Sequence, residues 1–133
     1  MYMYSWIDSR RAYALAPPQY PNSHLVEEKH QPGRQNDSVL RVYETNDSVE
    51  EVLAFMEEHM PGFTETKSYW SDGSTYHNEV IDSTVEEFLG SPPSKASLDW
   101  PYDTYPHASV RIEPNPDKPT GTIIHVWVGW PIP

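Results

Sequence analysis

Six histidines, adjacent glutamates on helical segments and a set of tryptophans and tyrosines are the side chains through which this chain could do chemistry. His24, His30, His59, His77, His107 and His125 stand in no HxH, HxxxH or HExxH spacing. A catalytic zinc needs three converging ligands and an open position, so no metal site is expected. Glu50–Glu51, Glu57–Glu58 and Glu86–Glu87 are neighbours on helical segments, where adjacent residues point ~100° apart and cannot share a proton. No GxSxG elbow marks a nucleophile, and no GxGxxG or GxxxxGK[ST] loop is present to cradle phosphates. The chain has no cysteine, which removes thiolate chemistry, disulfides and cysteine-ligated metals. Asn36 and Asn46 head N-glycosylation sequons, but Asn46 is better explained by the helix that starts beside it. The expectation is therefore a non-catalytic chain with no cofactor and no metal.

The aromatics carry the remaining signal. Trp100 and Tyr102 lie in a proline-rich stretch, and Trp127 and Trp130 lie near the end of the chain. Together they could bind a proline-rich peptide or a sugar by stacking, or cover the second face of a thin sheet. Residues 1–22 form an arm that carries Tyr2, Tyr4, Trp6, Arg10, Arg11 and Tyr13 and ends in Pro17, Pro18 and Pro21. Aromatic and arginine side chains are the types enriched at interface hot spots. The arm either docks on another protein or packs back on its own domain. Trp6, Ala12, Tyr13 and Leu15 hint at one helical turn before the prolines.

These residues need elements to hold them. The 133 residues suit a single domain, placed at 23–133 behind the arm. Ser23–Glu28 and Val39–Thr45 read as strands, with the polar HQPGRQND between them as a loop. Ser48–Met60 reads as the main helix, with Asp47/Glu50 or Ser48/Glu51 as its capping box. Val49, Val52, Leu53, Met56 and Met60 recur at helical spacing, so Leu53 is expected to face the sheet and be buried. Phe63–Ser71 and Ser74–Ile81 flank an Asp72-Gly73 hairpin turn. A short second helix is expected at 83–89. His107–Glu113 and Thr120–Trp130 are the last strands, the latter central and covered on both faces. The order predicts an α+β fold, an antiparallel sheet of about five to six strands with the main helix on one face.

Charge sets the class of partner. With 20 acidic and 9 basic side chains the net charge is −11, which argues against binding nucleic acid. No apolar run approaches the ~20 residues of a membrane span, and no signal-peptide core is seen. An acidic inhibitor or immunity-type protein that occludes a basic enzyme surface fits such a charge.

Three motifs in order carry a family resemblance. They are Tyr20-Pro21-Asn22-Ser23, then Arg41 to Thr45 with Asp47 to Phe55, and finally Ser109 to Ile112 with Gly121 to Val128. The chain resembles small, largely uncharacterised bacterial domains, often lipoproteins or membrane-anchored, that read YPGA … YxTxDSxEEVxxFY … GTxIxV. Asn22 stands where that pattern has glycine, and Met56 where tyrosine is common. The resemblance implies an extracytoplasmic, membrane-associated α+β module and brings no catalytic residues with it. No lipobox cysteine or anchor helix is seen, so another subunit is expected to hold the chain. The reading is a protein-interaction module, an accessory subunit of a larger bacterial assembly.

Overall fold

The hydrophobic periodicity resolves into six antiparallel strands and two helices. The structure is a computed structural model that describes residues 2–32, 36–67, 74–81 and 106–131. In chain order the elements are α1 (Tyr2–Leu15), β1 (Ser23–Pro32), β2 (Asn36–Thr45), α2 (Val49–His59), β3 (Thr64–Lys67), β4 (Ser74–Ile81), β5 (His107–Pro114) and β6 (Thr122–Pro131). The strands form one sheet in the order β1-β2-β6-β5-β4-β3. The fold is α+β. The expected helix at 83–89 and the Asp72-Gly73 turn lie outside the described residues.

Local chemistry explains α2. Ser48 is its N-cap, in an extended conformation, and its Oγ accepts a bond from the Glu51 N–H at 3.2 Å. Of the two capping boxes only Ser48 serves, because Asp47 is engaged elsewhere. Glu50 and Glu51 in the first turn and His59 in the last complement the helix dipole. The helix ends where the Met60 N–H reaches the Met56 carbonyl at 2.6 Å. Gly62 then takes φ 103°, a conformation that a side chain would strain.

Of the five positions expected on the buried face of α2, Val49 and Leu53 are only half-buried. Val52, Met56 and Met60 are almost wholly inaccessible, whereas Leu53 is only half-buried at the margin of the core. The sheet meets them with Tyr43, Ile124, Val110 and Ile112. Strand alternation puts Val39 and Tyr43 on this face together with Ile124, Val128, Ala108 and Ile112, their register partners across β2, β6 and β5.

Two expectations are corrected. The arm is a helix of 14 residues, not one turn. Pro17 and Pro18 follow its last turn, so they end the helix without interrupting it. Ala12, Leu15 and Ala16, at i, i+3 and i+4, turn toward the core, and Ala12 is fully covered by Val39, Val128 and Trp130. Between the alternatives for the arm, this end of α1 packs on its own sheet, against β6, β5 and β4. The second correction concerns HQPGRQND, most of which is paired strand. The β1–β2 ladder runs from Ser23↔Thr45 to Pro32↔Asp37, with one bulge between Leu25 and Glu27. Pro32, Asn36 and Asp37 are of types depleted in strands, so here the ladders to neighbouring strands override propensity. No helix among the described residues is long and apolar enough to cross a membrane.

Two outcomes follow. Met56→Ala should cost ~2–5 kcal/mol in urea unfolding, the usual range for a buried methionine, with Leu53→Ala clearly cheaper. Removing residues 1–19 uncovers Val128 and Trp130, so the melting temperature should fall by roughly 4–8 °C for each kcal/mol lost, with new binding of a hydrophobic dye.

Candidate binding surfaces

The loop that leaves β2 has to turn into α2 beside the start of β1, and Asp47 holds that corner. Its Oδ2 accepts the Tyr20 hydroxyl at 2.5 Å and its Oδ1 accepts the Asn22 amide at 3.0 Å. Its own N–H donates to Thr45 Oγ1, and its carbonyl accepts the Thr122 hydroxyl at 2.8 Å. Tyr20 is buried and meets Phe55 of α2 edge-on, with ring centroids 5.3 Å apart. Burial, the bond to Asp47 and the nearby Glu51 carboxylate push the Tyr20 phenol up to about 12. This corner is structural: both Asp47 carboxylate oxygens are taken by side-chain donors.

Between α1 and the sheet lies a cavity of about 210 Å³. Its floor is apolar, from Val39, Ile124, Val126 and Val128, with Met56 at one side. Tyr13, Tyr20, Tyr43 and the Pro17–Pro18 pair form walls, and Arg41 also lines it. The Arg41 guanidinium lies 5.1 Å from the centre of the Tyr13 ring, and its Nε is 3.6 Å from Glu28 on β1.

The opposite sheet face holds a polar cluster that register brings together. Arg111 pairs with His125 across β5 and β6, and Ser109 with Trp127. His125 Nε2 and Glu113 Oε1 are 2.9 Å apart. The His125 ring stacks on Trp127 at 5.6 Å, and Arg111 lies over the same indole at 5.4 Å. The Arg111 Nε is buried and has no hydrogen-bond partner among the described residues. Burial is the main cause that holds His125 below the usual histidine range, and the Arg111 charge adds to it. The bond and charge of Glu113, with Glu27, oppose the shift without cancelling it. A neutral His125 therefore donates Nε2–H to the Glu113 carboxylate. Sequence reading treated His125 as one of six scattered histidines, and only strand register shows its neighbours.

At the end of this cluster His107 lies over Gly129, where a Cβ would come within 2.4 Å of the imidazole Cε1. The glycine is what lets the ring sit there.

Of the expected site residues, Trp127 and Trp130 divide between the two sheet faces. Tyr13 and Trp130 meet, with ring centroids 5.8 Å apart, and Trp130 is buried on the helix side. Trp127 lies three positions away on the same strand and so faces the other side. Arg10 and Arg11 are exposed on α1. Tyr2, Tyr4 and Trp6 fall in its first two turns, and Trp100 and Tyr102 lie outside the described residues. Among the described residues no group of three or more histidine and acidic side chains could hold a metal ion.

The surface that sequence reading missed is an edge. Among the described residues β1 is bonded only to β2, and every residue of the strand after Ser23 is exposed. Leu25 and Val26, at the bulge, are 45% and 46% exposed. The signal was available in the Leu25-Val26 pair, an apolar step in an otherwise polar strand.

The lowered His125 gives a pH signature. Below about 6.5, the ordinary histidine value, the unfolded chain takes up a proton that folded His125 resists. Stability is then lost as pH falls from there toward the folded value. His125→Gln, which keeps a donor for Glu113, should lose less melting temperature than the native chain between pH 7.5 and 5.

No protein-family model, no curated protein and no solved structure matches this chain.

Proposed function

We propose that the chain is a protein-interaction module, an accessory subunit that receives an extended segment of a partner protein on the free edge of β1. One observation carries this reading: a ten-residue edge strand, exposed after Ser23, with Leu25 and Val26 beside its outward backbone. An edge strand offers a row of N–H and C=O groups that a second strand satisfies as well as water does. Apolar side chains at the same place supply the burial that makes such pairing stable. The bulge and the neighbouring Glu27, Glu28 and Lys29 interrupt the flat apolar edge that would favour self-pairing. The −11 charge favours a basic partner segment and speeds its approach.

The partner in this reading is a subunit of a membrane-associated bacterial assembly, which holds the module at the extracytoplasmic face. The motif resemblance supports that placement. A second reading, an acidic inhibitor of a basic enzyme, is favoured by the exposed Glu50, Glu51, Glu57 and Glu58 on α2.

The two readings separate by mutation and by salt. Native isolation of the chain should recover a partner that Leu25→Ser/Val26→Lys loses, while the variant stays within about half a kcal/mol of native stability. Such a complex should also survive moderate salt. A complex that survives the β1 variant overturns the edge reading. If it is lost instead when the four α2 glutamates become glutamine, and dissolves as salt rises, the inhibitor reading replaces it.

A further inference from the structure

The cavity beneath α1 has a composition that selects a ligand. A cavity of about 150 Å³ is enough to hold benzene, so about 210 Å³ accommodates one ring with a short substituent. Its floor of valines and Ile124 offers nothing to hold ordered water, which needs two to four polar partners. The rest of the lining adds Gln19, Tyr13, Tyr20 and Tyr43, and its charged group is Arg41. This arginine stands on the helix face of β2 between buried Val39 and Tyr43, a cation in a row of core residues. Its nearest carboxylate among the described residues, Glu28, is 3.6 Å from Nε. A charge-assisted bond is closer to 2.7–2.9 Å, and with its side chain 35% exposed the guanidinium is answered in part by solvent, which a ligand carboxylate would replace. The Arg41 guanidinium carbon lies 5.1 Å from the Tyr13 ring centre, and an arginine held over an aromatic face keeps its fork of N–H donors for a carboxylate. A multiply charged anion would meet the −11 field of the chain at full strength, and an uncharged ligand would leave Arg41 unanswered.

We infer that this cavity binds a small organic monocarboxylate, one aromatic ring with a short acid arm, its ring on the valine floor and its carboxylate on Arg41. The ligand enters beside the Pro17–Pro18 segment and stacks against Tyr13. Its binding needs no protein partner, so it stands or falls independently of the β1 edge.

Calorimetric titration of the intact chain with phenylacetate, and with phenylacetamide as the neutral isostere, tests this. Phenylacetate should bind at least tenfold more tightly than the amide. Arg41→Gln should remove that preference by weakening the acid alone. Ala16→Phe, which fills the cavity from the α1 side and leaves the strands untouched, should abolish binding of both. Melting curves of the two variants confirm that each is folded before titration. Acid and amide binding equally, no binding of phenylacetate at millimolar concentration, or undiminished binding to a folded Ala16→Phe chain would each overturn the proposal.

Discussion

Three segments of this chain meet at one aspartate. Asp47 takes the Tyr20 hydroxyl and the Asn22 amide from the approach to β1, and its carbonyl takes the Thr122 hydroxyl from the start of β6. Without that residue the buried phenol would lack its acceptor, and an unsatisfied buried hydroxyl costs ~1–3 kcal/mol. The corner also fixes geometry. It sets where β2 stops, where Ser48 can cap α2, and how far β6 extends along β2. The placement of α2 over Ile112 and Ile124, and with it the Met56 wall of the cavity, depends on this joint.

The two sheet faces solve different problems. The helix side is a dry core in which Val52, Met56, Val110 and Ile112 are nearly inaccessible. Arg41 is a charged intrusion there, and it lines a place on this side where packing leaves a space. The other side is polar and ordered by stacking: Arg111 and His125 share the Trp127 indole, and Glu113 fixes the imidazole. Trp127 and Trp130 look alike in sequence, yet they serve opposite layers.

Local chemistry was the legible part. The cap at Ser48, the Pro61-Gly62 stop, the Ser74–Ile81 strand and the double alternation of β6 could all be read from spacing. What could not be read depends on distant contacts. Asp47 looked like a helix cap because its true partner, Tyr20, lies 27 positions earlier. The polar run after Glu28 looked like a loop because its residues favour strands poorly, and only the ladders to neighbouring strands hold them extended. The arm looked like a broken turn because Pro17 and Pro18 drew the eye, although prolines that follow a helix merely end it. The His125 cluster depends on the β5–β6 register, which spacing along one strand cannot reveal. The separation of Trp127 from Trp130 was legible from strand periodicity alone, since residues three apart on a strand face opposite ways.

The position of β6 in the middle of the sheet has a consequence during synthesis. β2 needs β6 on its inner side, and Thr122 emerges 75 positions after Asp47. At translation rates of ~5–20 residues per second, β2 waits roughly 4–15 s for its central neighbour. During that interval the nascent β1–β2 hairpin has both edges open, with Val39 and Tyr43 uncovered. The order of the strands therefore makes the half-made chain more vulnerable to wrong pairing than the finished one, and puts the ribosome-bound hairpin within the reach of chaperones.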